Sequence, residues 1–154
     1  MTGKNKIVSF LLIFGLFFVD QLLKILAFIK IPSSGIFILQ NGFLKLKLIT
    51  QFNPNLAFGI NISPWLAYFF LGIVFAYLFK KHFNETVSFL KKNILPLSML
   101  LGGSLGNLMD RIFRGAVLDY IQLSFNAFTW PTFNFADIVI VSAGVYLIIR
   151  NFKE

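Results

Sequence analysis

Long apolar runs punctuated by short polar clusters set the pattern of this chain. The first run, Ile7 to Ile29, is 23 residues long, with only Asp20, Gln21 and Lys24 strongly polar. As a helix it would rise about 34 Å, enough to cross a bilayer core of about 30 Å. A cleavable leader has an apolar core of about 7 to 15 residues followed by a small-residue cleavage site. LAFIKIPSSG does not fit that description, so the run reads as a retained helix. Residues 30 to 62 change in character. Asn41-Gly42 is a turn signal, and Phe43 to Phe52 partly alternates apolar and polar residues, which predicts a short strand or hairpin outside the hydrocarbon. NPNLAF, Asn53 to Phe58, closes that segment, and Pro64 marks the start of a second helix, Trp65–Phe79, which Lys80, Lys81 and His82 end. A third helix is expected over Ile94–Phe113, with Pro96 in its first turn, and a fourth over Phe133–Ile149. The expectation is an all-α membrane protein, four transmembrane helices with a small extracytoplasmic β-containing lobe, forming a single integral-membrane domain over residues 1–154.

Composition agrees with a membrane protein. The 154 residues are 57% hydrophobic and only 13% charged, with mean hydropathy +0.79, against about 25% charged in soluble domains. The net charge of +8 raises the question of nucleic acid. Its basic residues, however, stand in short groups at the ends of apolar runs rather than on one polar surface, which suits membrane orientation and excludes a nucleic-acid partner from the expectation. One set of connecting segments holds Lys4, Lys6, Lys80, Lys81, Lys91, Lys92, Arg150 and Lys153; the other holds Lys30, Lys45, Lys47, Arg111 and Arg114. The richer side is expected to be cytoplasmic, with both termini inside. Asp20, Asn53, Asp110, Asp119 and Asp137 then converge on the outer end.

Polar residues are concentrated in GGSLGNLMDRIFRGAVLDY, 102 to 120, and in FNFAD, 133 to 137, which together carry three of the four Asp residues. In an apolar segment an ionisable side chain costs about 2.5 to 3.5 kcal/mol at a helix centre, so such a cluster points to function. Several members also have purely structural readings. Asp20 and Lys24, spaced i and i+4, would neutralise each other on one helix face. Gly102, Gly103 and Gly106 would let helices approach closely. Asp110 and Arg111 would fix helix ends through buried hydrogen bonds, and His82 would be solvated.

Elimination narrows the chemistry. The absence of Cys excludes a thiol nucleophile, and the only His, His82, falls on the side away from the cluster, which removes Ser-His-Asp arrangements and disfavours a metal hydrolase. Lys24 with Ser124 as a Ser-Lys pair has no motif behind it. A carboxylate pair remains, and the fold can bring Asp119 and Asp137 face to face. Two close carboxyls share one proton, which makes one a base and the other an acid. No metal or cofactor is expected. The rival class is a small proton- or cation-coupled transporter, which also uses intramembrane carboxylates. Such a pathway should carry some of them near the midplane and show an internal repeat, and neither is seen here.

Five ordered motifs, DQLLK (20 to 24), NPNLAF, GGSLGNLMDR, GAVLDY and FNFAD, resemble the bacterial lipoprotein signal peptidases, signal peptidase II, over nearly the whole chain. The resemblance implies a membrane aspartic endopeptidase of the bacterial cytoplasmic membrane. It would remove signal peptides from diacylglyceryl-modified prolipoproteins, cutting just before the lipidated Cys. It implies Asp119 and Asp137 as the catalytic dyad, and Asn53, Asn107, Asp110, Arg111 and Asn134 as residues that support or line the site. Asp20 and Lys24 match an important pair outside the dyad. The implied partners are the diacylglyceryl prolipoprotein and membrane lipids, with no obligate protein partner. Asn55 stands where the family usually has Gly, Leu56 where a small residue is common, Leu23 where Ser or Thr is usual, and Ile138 where a small polar residue is common. Asn tolerates positive φ better than most residues, so the turn expected at Asn55 can survive the change.

Overall fold

A computed structural model describes residues 3–54, 72–73, 76–77, 80 and 93–151. Helix α1, Gly3–Lys30, leads into an antiparallel hairpin of β1, Ile36–Gln40, and β2, Leu44–Asn53. Helix α2, Ile94–Arg114, is followed by β3, Val117–Phe125, and the two-residue β4, Phe128–Thr129; α3, Phe135–Asn151, completes the described chain. The strands form one antiparallel sheet in the order β1-β2-β3-β4.

The helices pack through glycine. A Cβ on Gly102 would press on the Ile13 carbonyl and Leu16, and one on Gly106 would run into the Asp20 carboxylate, so α1 and α2 lie side by side and point the same way. Gly103 faces Ala136 and Ile140 in the same manner, while Asn107 reaches Asp137, so α3 runs the opposite way. The C-terminal ends of α1 and α2 therefore meet the N-terminal end of α3 beside the sheet.

On α1 the buried stripe is Ser9, Ile13, Asp20, Lys24 and Ala27, whereas Leu11, Phe18, Leu22 and Phe28 are exposed. Polar side chains inward and large apolar ones outward is the reverse of a water-soluble helix and suits a hydrocarbon surround.

Two expectations need correction. The chain is not all-α with four transmembrane helices: α1, α2 and α3 pack with a four-stranded sheet, and among the described residues one helix, over Asn5–Lys30, is long and apolar enough to cross a membrane. The reasons are physical. The 17 residues of α3 rise about 25 Å, at the short limit for a bilayer core of about 30 Å. Helix α2 carries GGSLGN and then Asp110, Arg111 and Arg114, which dilute its apolar character. The sheet is also no small appendage, since β2 and β3 are 10 and 9 residues long and β3 carries Asp119. The predicted helix Trp65–Phe79 lies outside the described residues except for Gly72, Ile73, Ala76 and Tyr77, which are helical; His82 lies outside them altogether.

The predicted hairpin is present. Asn41 ties its turn, its Oδ1 accepting from the amides of Phe43 at 3.0 Å and Leu44 at 2.6 Å. Strand alternation then makes the sheet two-faced. Leu44, Leu46 and Leu48 pair with Phe125, Leu123 and Ile121 on one face, and Lys45 and Lys47 with Ser124 and Gln122 on the other. The register shifts between Leu48 and Gln51, after which Gln51 stands opposite Asp119 and Asn53 opposite Val117. Asp119 thus shares the apolar face with Ile121, Leu123 and Phe125.

Candidate active site

Two local devices deliver the carboxylates. Gly115, at φ 73°, closes α2 in the left-handed region with its amide on the Arg111 carbonyl, so that β3 begins at once and carries Asp119 back past the end of α2. A single bridge then pairs Ile121 with Phe133. That bridge sets Asn134 beside Asp119 and starts α3 immediately after it.

FNFAD is a reciprocal helix cap. The Asp137 amide donates to Asn134 Oδ1 at 3.1 Å, and the Asn134 amide donates to Asp137 Oδ2 at 3.1 Å. Asp20 satisfies a further orphan amide of that turn, accepting from the Ala136 N–H at 3.1 Å. Capping alone is a sufficient reason for a short acid at position 137, so a chemical role has to rest on the other contacts.

Those contacts join Asp119 and Asp137 through two amides. Asn134 Nδ2 donates to Asp119 Oδ1 at 2.7 Å and to Asn107 Oδ1 at 3.1 Å, and Asn107 Nδ2 donates to Asp137 Oδ1 at 2.8 Å. Asn53 Nδ2 donates to the other Asp119 oxygen at 3.1 Å. Lys24 Nζ donates to Asn107 Oδ1 at 3.0 Å, which forces the Asn107 NH2 toward Asp137.

The other two Asp residues are held differently. Lys24 Nζ lies 2.8 Å from Asp20 Oδ2 and 2.9 Å from Asp110 Oδ2, with all three side chains fully buried. Asp110 also pairs with Arg114 and accepts from the Leu118 amide at 3.2 Å. Among the described residues, then, Asp20 and Asp110 are neutralised by cations, while Asp119 and Asp137 contact only amides. Asp119 is 2% exposed, and burial raises its carboxyl to about 6; the hydrogen bond from Asn53 opposes this and the charge of Asp137 adds to it.

Asp137 also borders an apolar groove of about 460 Å³, walled by Leu123, Phe125, Trp130, Phe133 and Ile138. The groove runs along the face of the sheet that bears Asp119. Among the described residues no group of His, Cys, Asp and Glu could hold a metal ion.

The structure thus gathers Asp20, Lys24, Asn53, Asn107, Asp110, Asp119, Asn134 and Asp137 at one end. Arg111 is on the border, donating to its own helix at the Asn107 carbonyl at 3.2 Å. Two residues escaped the sequence reading. Gln21 Nε2 reaches Asp20, Asp110 and the Gly106 carbonyl, each at 3.2 Å, and Arg114 pairs with Asp110. The signal for Arg114 was its i+4 spacing from Asp110.

Residues 12–153 match the family model described as Signal peptidase (SPase) II. The chain belongs to the signal peptidase II family. A lipoprotein signal peptidase of Burkholderia mallei (strain SAVP1) is 36% identical over 143 residues, covering 88% of this chain and 81% of that protein. One from Blochmanniella pennsylvanica (strain BPEN) is 38% identical over 106 residues, covering 66% and 64%. A solved structure described as a bacterial membrane enzyme superposes with TM-score 0.76 at 25% identity, covering 95% of this chain and 88% of that one. Membership of the signal peptidase II family makes the chain a peptidase of a bacterial membrane, and the transporter alternative is not favoured.

Proposed function

We propose that this signal peptidase II is an aspartic endopeptidase in which Asp119 and Asp137 do the chemistry, cutting diacylglyceryl-modified prolipoproteins just before the lipidated Cys. The observation that carries the proposal is the division of the four Asp residues: two are spent on Lys24 and Arg114, and two are joined only through neutral amides beside an apolar groove. Only the second pair is free to share a proton.

In this mechanism the ionised Asp137 takes a proton from a water molecule as its oxygen adds to the scissile carbonyl carbon. Asp119, whose burial favours the protonated form, donates a hydrogen bond to the carbonyl oxygen and stabilises the developing oxyanion. The proton on Asp137 then passes to the leaving amine as the C–N bond breaks, and Asp119 retains its own. Asn107 and Asn134 hold the two carboxyls in register, and Asn53 supports Asp119 from β2. Lys24, Asp20 and Asp110 form the charged floor on which those amides rest.

The substrate's apolar signal segment and acyl chains approach along the groove and the apolar face of the sheet. Lys6 on the first turns of α1 and Arg150 on the last turn of α3 stand at the ends of those helices away from the site, which supports that end of the bundle as the cytoplasmic one and the site as facing outward.

Purified protein in detergent tests the activity. A diacylglyceryl-Cys peptide should be cut on the amino side of the Cys at least about 100-fold faster than its unlipidated twin, because the acyl chains supply binding energy that the bare peptide lacks. Equal rates would refute the lipid requirement.

A further inference from the structure

Arg114 stands at the edge of the polar core just described, at the last position of α2, with about a third of its side chain exposed. We propose that it is a positioning residue for Asp119, acting through Asp110. The inference rests on the assignment of Asp119 to the chemistry.

The geometry carries it in two steps. Arg114 Nη1 pairs with Asp110 Oδ1 and donates to Gln21 Oε1 at 3.4 Å, so it holds one edge of a buried carboxylate. The other edge, Asp110 Oδ2, accepts the Leu118 amide, immediately before Asp119. Two residues later the amides of Tyr120 and Ile121 both donate to the Phe133 carbonyl, at 3.1 and 2.9 Å. Asp119 is therefore suspended between two backbone anchors on the side of β3 away from β2. One is a strand-like bridge, and the other is a carboxylate whose orientation Arg114 fixes.

Charge balance gives the second step. Lys24 is one cation against two buried carboxylates, Asp20 and Asp110. Arg114 supplies the second cation. Without it Asp110 draws on Lys24 alone, in competition with Asp20, and Lys24 also orients Asn107 toward Asp137. Loss of the guanidinium would reach both reacting carboxyls, yet it leaves the groove beside Asp137 untouched. A third of the side chain is in the open, so replacing it does not cut a hole in the core.

The test is steady-state cleavage of a diacylglyceryl peptide by Arg114→Gln, expressed per folded molecule. The expected result is a kcat about 10-fold lower, the scale of a reacting group displaced by a fraction of an ångström, with KM within about 2-fold of wild type. Arg114→Lys keeps the charge and should recover at least half of that loss on a logarithmic scale. Wild-type kcat in Arg114→Gln, or a loss accounted for wholly by the unfolded fraction, would overturn the proposal.

Should Arg114→Gln not fold, Arg114→His decides the matter. Imidazole is charged below about pH 6.5 and neutral above it. Among the described residues, the charged groups around position 114 are Asp110 and Arg111 on α2 and, behind Gln21, Lys24 and Asp20 on α1; β3 presents the Leu118 amide. The ratio of the kcat of Arg114→His to that of wild type should fall as the pH is raised from 5.5 to 8, and a flat ratio overturns the proposal. Asp119→Asn run alongside separates the two ideas. If it is active, the assignment of Asp119 fails; if it is dead while Arg114→Gln is normal, only the role of Arg114 fails.

Discussion

Replacing Lys24 by Met keeps the length and most of the volume of the side chain and removes only its charge. In the folded protein Lys24 Nζ is in contact with Asp20, Asp110 and Asn107 at 2.8, 2.9 and 3.0 Å, with no exposure to solvent. Asp110 keeps Arg114 as a cation, but among the described residues Asp20 is left with the Gln21 amide and the Ala136 N–H alone. Removing one partner of a buried ion pair costs about 3 to 5 kcal/mol. In a chain of this length that corresponds to a fall of about 10 °C in the midpoint of thermal unfolding. A second substitution makes the origin visible. Asp20→Asn in the Lys24→Met background removes the stranded carboxylate, so the double variant should be more stable than Lys24→Met by about 2 kcal/mol, although Asp20→Asn alone destabilises wild type. Both are read as thermal unfolding of purified protein in one detergent. A Lys24→Met midpoint within 2 °C of wild type, or simple additivity in the cycle, would refute the view that this ammonium neutralises the floor of the site.

Gly106→Ala tests the helix contact in a different way, because its methyl group meets the Asp20 carboxylate rather than a flexible chain end; a loss of about 1 to 3 kcal/mol is expected, and a neutral effect on unfolding would contradict the close approach of α1 and α2. Asp119 makes stability depend on pH. Its carboxyl is raised from the usual 3.8 to about 6, so the folded protein holds a proton that the unfolded chain has released. The associated stability is fully present below about pH 4 and is lost as pH rises through about 6, up to about 3 kcal/mol in all. Asp119→Asn should lack that slope, gaining on wild type in unfolding measurements between pH 4.5 and 7.5; parallel curves would show that the group is not raised.

Much of this site was legible in one dimension. The apolar run of α1 announced its length, Asn41-Gly42 announced the hairpin turn, and the basic residues at the ends of apolar runs implied that the four Asp residues gather at one end. The strand β3 was not legible. VLDYIQLSF follows a helix after only two residues, Gly115 and Ala116, and its polar members drew attention as site residues rather than as an alternating strand. The bridge from Ile121 to Phe133 is a non-local pairing, invisible to any periodicity, and it sets the position of Asn134. Local spacing likewise left the partner of Asp110 open between Arg111 and a neighbouring basic group. In the fold the pairs are made with Lys24, 86 residues earlier by number, and with Arg114, one helical turn on. The expectation of four membrane-crossing helices failed for a related reason: apolar content was counted by segment, whereas α3 is at the short limit for a span and polar residues dilute α2, so that among the described residues only α1 is both long and apolar enough.

The central claim is that Asp119 and Asp137 act as one unit while Asp20 and Asp110 hold it in place. The most direct measurement is single-turnover cleavage of a diacylglyceryl peptide by Asp119→Asn, Asp137→Asn and the double variant, each checked for folding. Asn keeps the shape of Asp and part of its hydrogen bonding but cannot accept and return a proton in this chemistry. Each single variant should lose about 1,000-fold or more while still binding the peptide, and the double variant should be little worse than either, as expected of groups that act together. Asp110→Asn, in the same assay, should lose stability along with rate. Substantial turnover in either dyad variant, or a dead but fully stable Asp110→Asn, would contradict the account.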